Sequence, residues 1–116
     1  MKLILSSSLE VEAYLKTSDA IIIPTGSIEQ HGPMGLIGTD MLCAETISLK
    51  VAEEVNALVA PTIGYAPAEF NMSFAGTISI PTDLYCSVCT EIFRSLERHR
   101  FRHIYVLNGH GANLEP

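Results

Sequence analysis

A chain of 116 residues with 47% hydrophobic, 17% charged and 7% aromatic residues has the size and make-up of one modest globular domain, neither disordered nor fibrous. Its net charge of −6 argues against a nucleic-acid partner, because phosphate-backbone binding needs clustered Lys and Arg and only seven basic residues are present. The one basic group, Arg94, Arg98, Arg100 and Arg102, reads as a solvated helix end, where cations favour the dipole's negative pole.

The opening Met1-Lys2-Leu3-Ile4-Leu5 is too short for a signal peptide, and no later stretch approaches membrane-spanning length, so a cytoplasmic protein with no membrane partner is expected. Three cysteines, Cys43, Cys86 and Cys89, are an odd number that fits a reducing compartment. Cys86 and Cys89 form a C-x-x-C, but mid-helix and without partner ligands, so they read as buried core thiols.

In chain order, Ser7-Ser8-Leu9-Glu10 has the form of a capping box opening a short helix through about Lys16. Ala20-Ile21-Ile22-Ile23-Pro24 is continuously apolar and β-branched, as a strand buried on both faces of a parallel sheet should be. A loop rich in Gly and Pro runs from Thr25 to Thr39. Asp40 is placed to cap a helix from Met41 to about Asn56, with Ala44, Ile47, Val51 and Val55 at helical spacing. Leu58-Val59-Ala60 reads as a short second strand. The segment from Thr62 to Pro81 is longer than a routine connection, which marks it as a functional loop. Thr82 or Asp83 should cap a further helix striped by Leu84, Val88, Ile92 and Leu96, and His103 to Leu107 should be the third strand.

Strand, helix, strand, helix, strand is a repeated right-handed crossover, so the strands should be parallel with helices packed on them. In such a sheet every loop leaving a strand emerges at the carboxyl edge. Glu29 and His31 leave the first strand, Asp40 opens the helix after it, and His110 leaves the third. One rim should therefore gather two carboxylates and two imidazoles, oxygen and nitrogen donors suited to Zn²⁺, Mn²⁺ or Fe²⁺. Each residue also has a plain reading: Asp40 as an N-cap, Glu29 and His31 as an exposed turn, His110 as a loop residue among glycines. His99 and His103 have no acidic companions and read as surface residues.

Four separated segments carry a resemblance. They are Thr25-Gly26-Ser27-Ile28-Glu29-Gln30-His31-Gly32-Pro33, Gly38-Thr39-Asp40, Phe74-Ala75-Gly76-Thr77 and Asn108-Gly109-His110-Gly111-Ala112-Asn113. In this order and spacing the chain resembles the creatininase (creatinine amidohydrolase) family. The resemblance implies a Rossmann-like three-layer α/β/α sandwich with a mainly parallel sheet, and a two-metal site, usually zinc or manganese, that hydrolyses cyclic amides, formamides or related C–N bonds. By position, Glu29, His31, Asp40 and His110 match family metal ligands, Asp40 bridging, with Glu29 and His110 on one ion and His31 on the other. Two ions would complete such a site, and the partner would be a small-molecule amide.

The chain departs from the family pattern in three places. Met34 and Asn71 stand where many members have histidines, changes expected to bear on substrate, and Ala112 stands where some members supply a glutamate ligand. Family members are about twice as long, so residues 1–116 are expected to be the amino-terminal part of a single creatininase-like domain, apparently truncated, with the remaining carboxylate and a general acid sought in the absent part. No catalytic residue proper is assigned. An unfinished sheet would favour a homo-oligomer. Two other readings stay open: a truncated, catalytically incompetent metal-binding module, and a small-ligand or phosphate-binding α/β domain, although no Walker-type Lys-Ser/Thr follows either glycine turn.

Overall fold

The computed structural model describes residues 1–115. Three strands form one parallel sheet in the order β2-β1-β3, with β1 at Ala20–Thr25, β2 at Leu58–Val59 and β3 at His103–Asn108. The β-branched run of β1 takes the centre, where it is covered on both faces and pairs with β3 along its whole length, Ala20 beside His103 through Thr25 beside Asn108. The sheet is therefore as expected, parallel and sided by helices.

Helices α1 (Ser8–Tyr14) and α3 (Thr82–Arg98) cover one face, where Tyr14, Ile21, Ile23, Leu58, Ala60 and Phe101 make the larger core cluster and Ile92, Phe93 and Leu96 of α3 pack against it. Helix α2 (Thr39–Val55) covers the other, with Ala52 against Ile22, Ala57 and Val59. Three layers result. The capping box at α1 is present in full: the Ser7 hydroxyl accepts from the Glu10 N–H, and the Glu10 carboxylate accepts from the Ser7 N–H at 2.7 Å. Helix α1 nevertheless ends at Tyr14, two residues short of Lys16, where the chain tightens into turns.

Helices α2 and α3 depart from expectation at their starts. Gly38 occupies the cap position of α2 and Pro81 that of α3, neither with a side-chain cap, so Asp40 and Asp83 lie inside the first turns rather than at the caps. An acidic residue in the first turn still suits the positive end of the helix dipole. The buried line of α2 is Asp40, Ala44, Ser48 and Ala52, whereas Ile47, Val51 and Val55 are exposed. Small side chains let the helix approach the sheet closely, and that approach selects the face. On α3 the stripe divides: Ile92 and Leu96 reach the core, while Leu84 and Val88 remain exposed at its start. Cys86 and Cys89 are only half-buried and Cys43 is exposed. Arg98 ends α3 as expected of a cation near a helix terminus, and Arg94 pairs with Glu91 on the exposed surface.

Among the described residues no helix is long and apolar enough to cross a membrane.

Candidate metal centre

All four candidate ligands converge at the carboxyl edge of the sheet. Glu29 and His31 follow β1, Asp40 lies in the first turn of α2, and His110 follows β3. Two glycines allow this approach. A Cβ on Gly26 would stand 2.5 Å from the Met41 backbone nitrogen, and one on Gly109 would collide with the Asp40 carbonyl, so the loops leaving β1 and β3 close on the start of α2 only because neither residue has a side chain.

The two oxygens of Asp40 face different imidazoles. Oδ2 lies 2.9 Å from His110 Nδ1, and Oδ1 lies 3.0 Å from His31 Nε2. Glu29 Oε1 is a second carboxylate oxygen 3.1 Å from His110 Nδ1. One ligand atom each from Glu29, His31 and Asp40 can be chosen within 4.8 Å of the others. Glu29, Asp40 and His110 are buried, and His31 is partly exposed at the mouth.

Each ring stands between a backbone carbonyl and a carboxylate. His110 Nε2 is 2.8 Å from the Pro67 carbonyl and His31 Nδ1 is 3.1 Å from the Glu29 carbonyl. A carbonyl and an ionised carboxylate both only accept, so a neutral ring can donate to one of them and must turn a lone pair on the other; with a cation among the carboxylates, the hydrogen belongs on the carbonyl side. Lone pairs facing lone pairs repel. The arrangement is relieved by a second proton on each ring or by a cation among the donors, and a carbonyl behind a ligating imidazole is the usual companion of a metal. The Glu29 carbonyl, reinforced by the Asp40 carboxylate, holds the His31 imidazole pKa above its ordinary value, against some desolvation. The donor set therefore fits a divalent cation.

Residues outside the expected set complete the centre. Ser27 is fully buried and donates to Asp40 Oδ2 at 2.8 Å. The long loop between β2 and α3 roofs the site: Pro67 accepts from His110, and Phe70 stacks on the His110 ring with centroids 6.2 Å apart. From the same loop Asn71 donates to Glu29 Oε2 at 2.7 Å. Asn71 thus reaches a candidate ligand, a contact that its place in the family pattern did not indicate. Met34 is almost wholly exposed. No residue-type signal marks Pro67 or Ser27, whose roles come from a carbonyl and from burial. His103 pairs with Asp19 on the surface, so it does have an acidic companion, though a remote one.

A concavity of about 730 Å³ lies away from these donors, between α1 and the end of α3. Chemistry, not hollowness, marks the site.

A family model described as creatininase, creatinine amidohydrolase, matches residues 5–116. The chain belongs to the creatininase family. Among relatives, the mycofactocin precursor peptide peptidase of Mycobacterium tuberculosis is 37% identical over 108 residues, 84% of this chain and 43% of that protein. The creatinine amidohydrolase of Pseudomonas putida is 32% identical over 110 residues, 90% of this chain and 42% of that protein. A solved creatinine amidohydrolase superimposes with a TM-score of 0.92 at 28% identity, over 97% of this chain and 46% of that one. Creatininases described as Zn-Zn type and as Mn superimpose with TM-scores of 0.90 and 0.91, at 29% and 28% identity, over the same shares. The chain thus spans less than half the length of these relatives. The creatininase match includes all three strands and all four candidate donors.

Proposed function

We propose that the protein carrying this chain is a metal-dependent amidohydrolase that cleaves a C–N bond of a cyclic amide or formamide-type small molecule. The observation that carries the reading is the pair of imidazoles, each anchored by a backbone carbonyl, whose other nitrogens face the two oxygens of Asp40. Glu29, His110 and Asp40 Oδ2 would hold one divalent ion, Zn²⁺, Mn²⁺ or Fe²⁺, and His31 with Asp40 Oδ1 the other. When bound, such ions lower the pKa of water toward neutrality and polarise a carbonyl. The chain's own contribution is orientation and shelter. Ser27 holds the Asp40 carboxylate at one oxygen, and the Glu29 and Pro67 carbonyls keep the rings in the tautomers that present lone pairs. Phe70 covers one face of His110, which excludes water from that side.

A second reading, a metal-binding module of the same fold without turnover of its own, draws support from Ala112, which offers no donor atom. The amidohydrolase reading carries with it a small-molecule amide as partner, a reducing cytoplasm in which Cys43, Cys86 and Cys89 stay free thiols, and a homo-oligomer.

Elemental analysis of the full-length protein purified without chelator, compared with Asp40→Ala, tests the proposal alongside a screen of small amides. Near two ions per chain, lost in the variant, with hydrolysis of an amide, is the expected result. About one ion and no hydrolysis supports the second reading. No metal in either protein overturns both.

A further inference from the structure

We infer that Asn71, itself held by Gln30, is a positioning residue that occupies one oxygen of Glu29 and presents the other, Oε1, alone to the metal centre. This rests on the metal reading above. The direction of every link is forced from one end. The Gly32 N–H can only donate, and it does so to Gln30 Oε1 at 2.8 Å. The other terminal atom of Gln30 is therefore its amide nitrogen, which donates to Asn71 Oδ1 at 3.0 Å. That leaves the Asn71 nitrogen facing Glu29 Oε2, to which it donates at 2.7 Å. Flipping either amide would break its two bonds and set oxygen against oxygen.

The relay joins two loops that meet only in the folded chain. Gln30 belongs to the loop after β1, and its N–H donates to the Thr77 hydroxyl at 3.2 Å, while Asn71 and Thr77 come from the loop after β2. Its product is a carboxylate with unequal oxygens. Oε2 is taken by a donor, and Oε1 lies 3.1 Å from His110 Nδ1 among the remaining ligand atoms. Glu29 is buried, so water does not readily replace a lost Asn71 donor. Asn71 is neutral, so it orients the carboxylate and leaves its full charge for a cation. A cationic donor in the same place would spend part of that charge.

The experiment titrates Co²⁺ into the metal-free full-length protein, recording the visible Co²⁺ bands and obtaining affinity by chelator competition. Asn71→Leu should lower Co²⁺ affinity about 10–100-fold, the range for loss of a partner behind a metal ligand. Its bands should also shift, because the freed oxygen of Glu29 changes the coordination. Asn71→His, which returns an N–H donor, should recover most of the affinity. If Asn71→Leu fails to fold by circular dichroism, Gln30→Leu, which breaks the relay one bond further back, decides by the same two readouts. A folded variant with parental affinity and parental bands overturns the inference while leaving the metal reading intact. A parent protein that binds no Co²⁺ overturns the metal reading, and the inference with it.

Discussion

Ser27 is 0% exposed, and its hydroxyl is spent on Asp40 Oδ2. Ser27→Ala leaves that buried carboxylate one donor short, which should cost about 1–3 kcal/mol of stability. Thermal unfolding followed by circular dichroism in chelator should show a clearly lowered Tm; an unchanged Tm would mean the hydrogen bond is not stabilising. At this scale the four candidate ligands were legible because only Glu, Asp and His offer such donors, and because chain order puts them at strand ends. Ser27 was not legible. It lies in a Gly-Ser turn whose hydroxyl could serve many ends, and its burial against Asp40 follows from how α2 docks. Asn71 carried a signal, as the residue standing where histidine is common, but the sequence could not say that it reaches Glu29.

Helix α2 shows how periodicity and packing part company. Ala44, Ile47, Val51 and Val55 form a hydrophobic stripe by spacing, yet the sheet receives Ala44, Ser48 and Ala52, about one position round the helix. The reason is distance: Gly26 and Gly109 bring the backbone of Asp40 against two loops, and a helix held that close has room only for small side chains along its inner line. A pair of substitutions separates the two faces. Ala52→Leu should overpack the interface with β1 and β2 and cost about 1–3 kcal/mol. Val55→Lys, on a residue 64% exposed, should change stability by no more than about 0.5 kcal/mol. Urea denaturation of both proteins measures the difference, and equal losses would contradict the observed face. Asp40 belongs to the same lesson. An Asp before an apolar periodic run signals a cap, but here its carboxylate turns from the helix end to Ser27 and the two histidines, and Gly38 takes the cap position.

Over the whole molecule, β1 is saturated and β3 is not. Among the described residues, the outer edge of β3 pairs with no strand, while Tyr105 and Val106, on opposite faces of it, are 58% and 49% exposed. An apolar groove of about 510 Å³ runs between β3 and α2, lined by Val51, Val55, Tyr105 and Leu107. An open strand edge beside apolar side chains favours association. Sedimentation velocity of the 116-residue chain should therefore show species heavier than 12.6 kDa that grow with concentration, and Tyr105→Lys combined with Val106→Lys should reduce them. A single 12.6 kDa species at all concentrations would refute this expectation.

The amino-acid sequence by itself determined the parallel α/β order, the central β-branched strand, the capping box and the four donors at one rim, because each follows from local residue type, spacing and the handedness of crossovers. Only the tertiary structure decided which face of α2 is buried, which oxygen of each carboxylate faces which ring, and that Ser27, Pro67 and Asn71 hold those groups in place. These are properties of contacts between segments up to 81 residues apart, as in Glu29 Oε1 beside His110 Nδ1. Their directions are set by backbone carbonyls and close glycine approaches, which no side-chain pattern encodes.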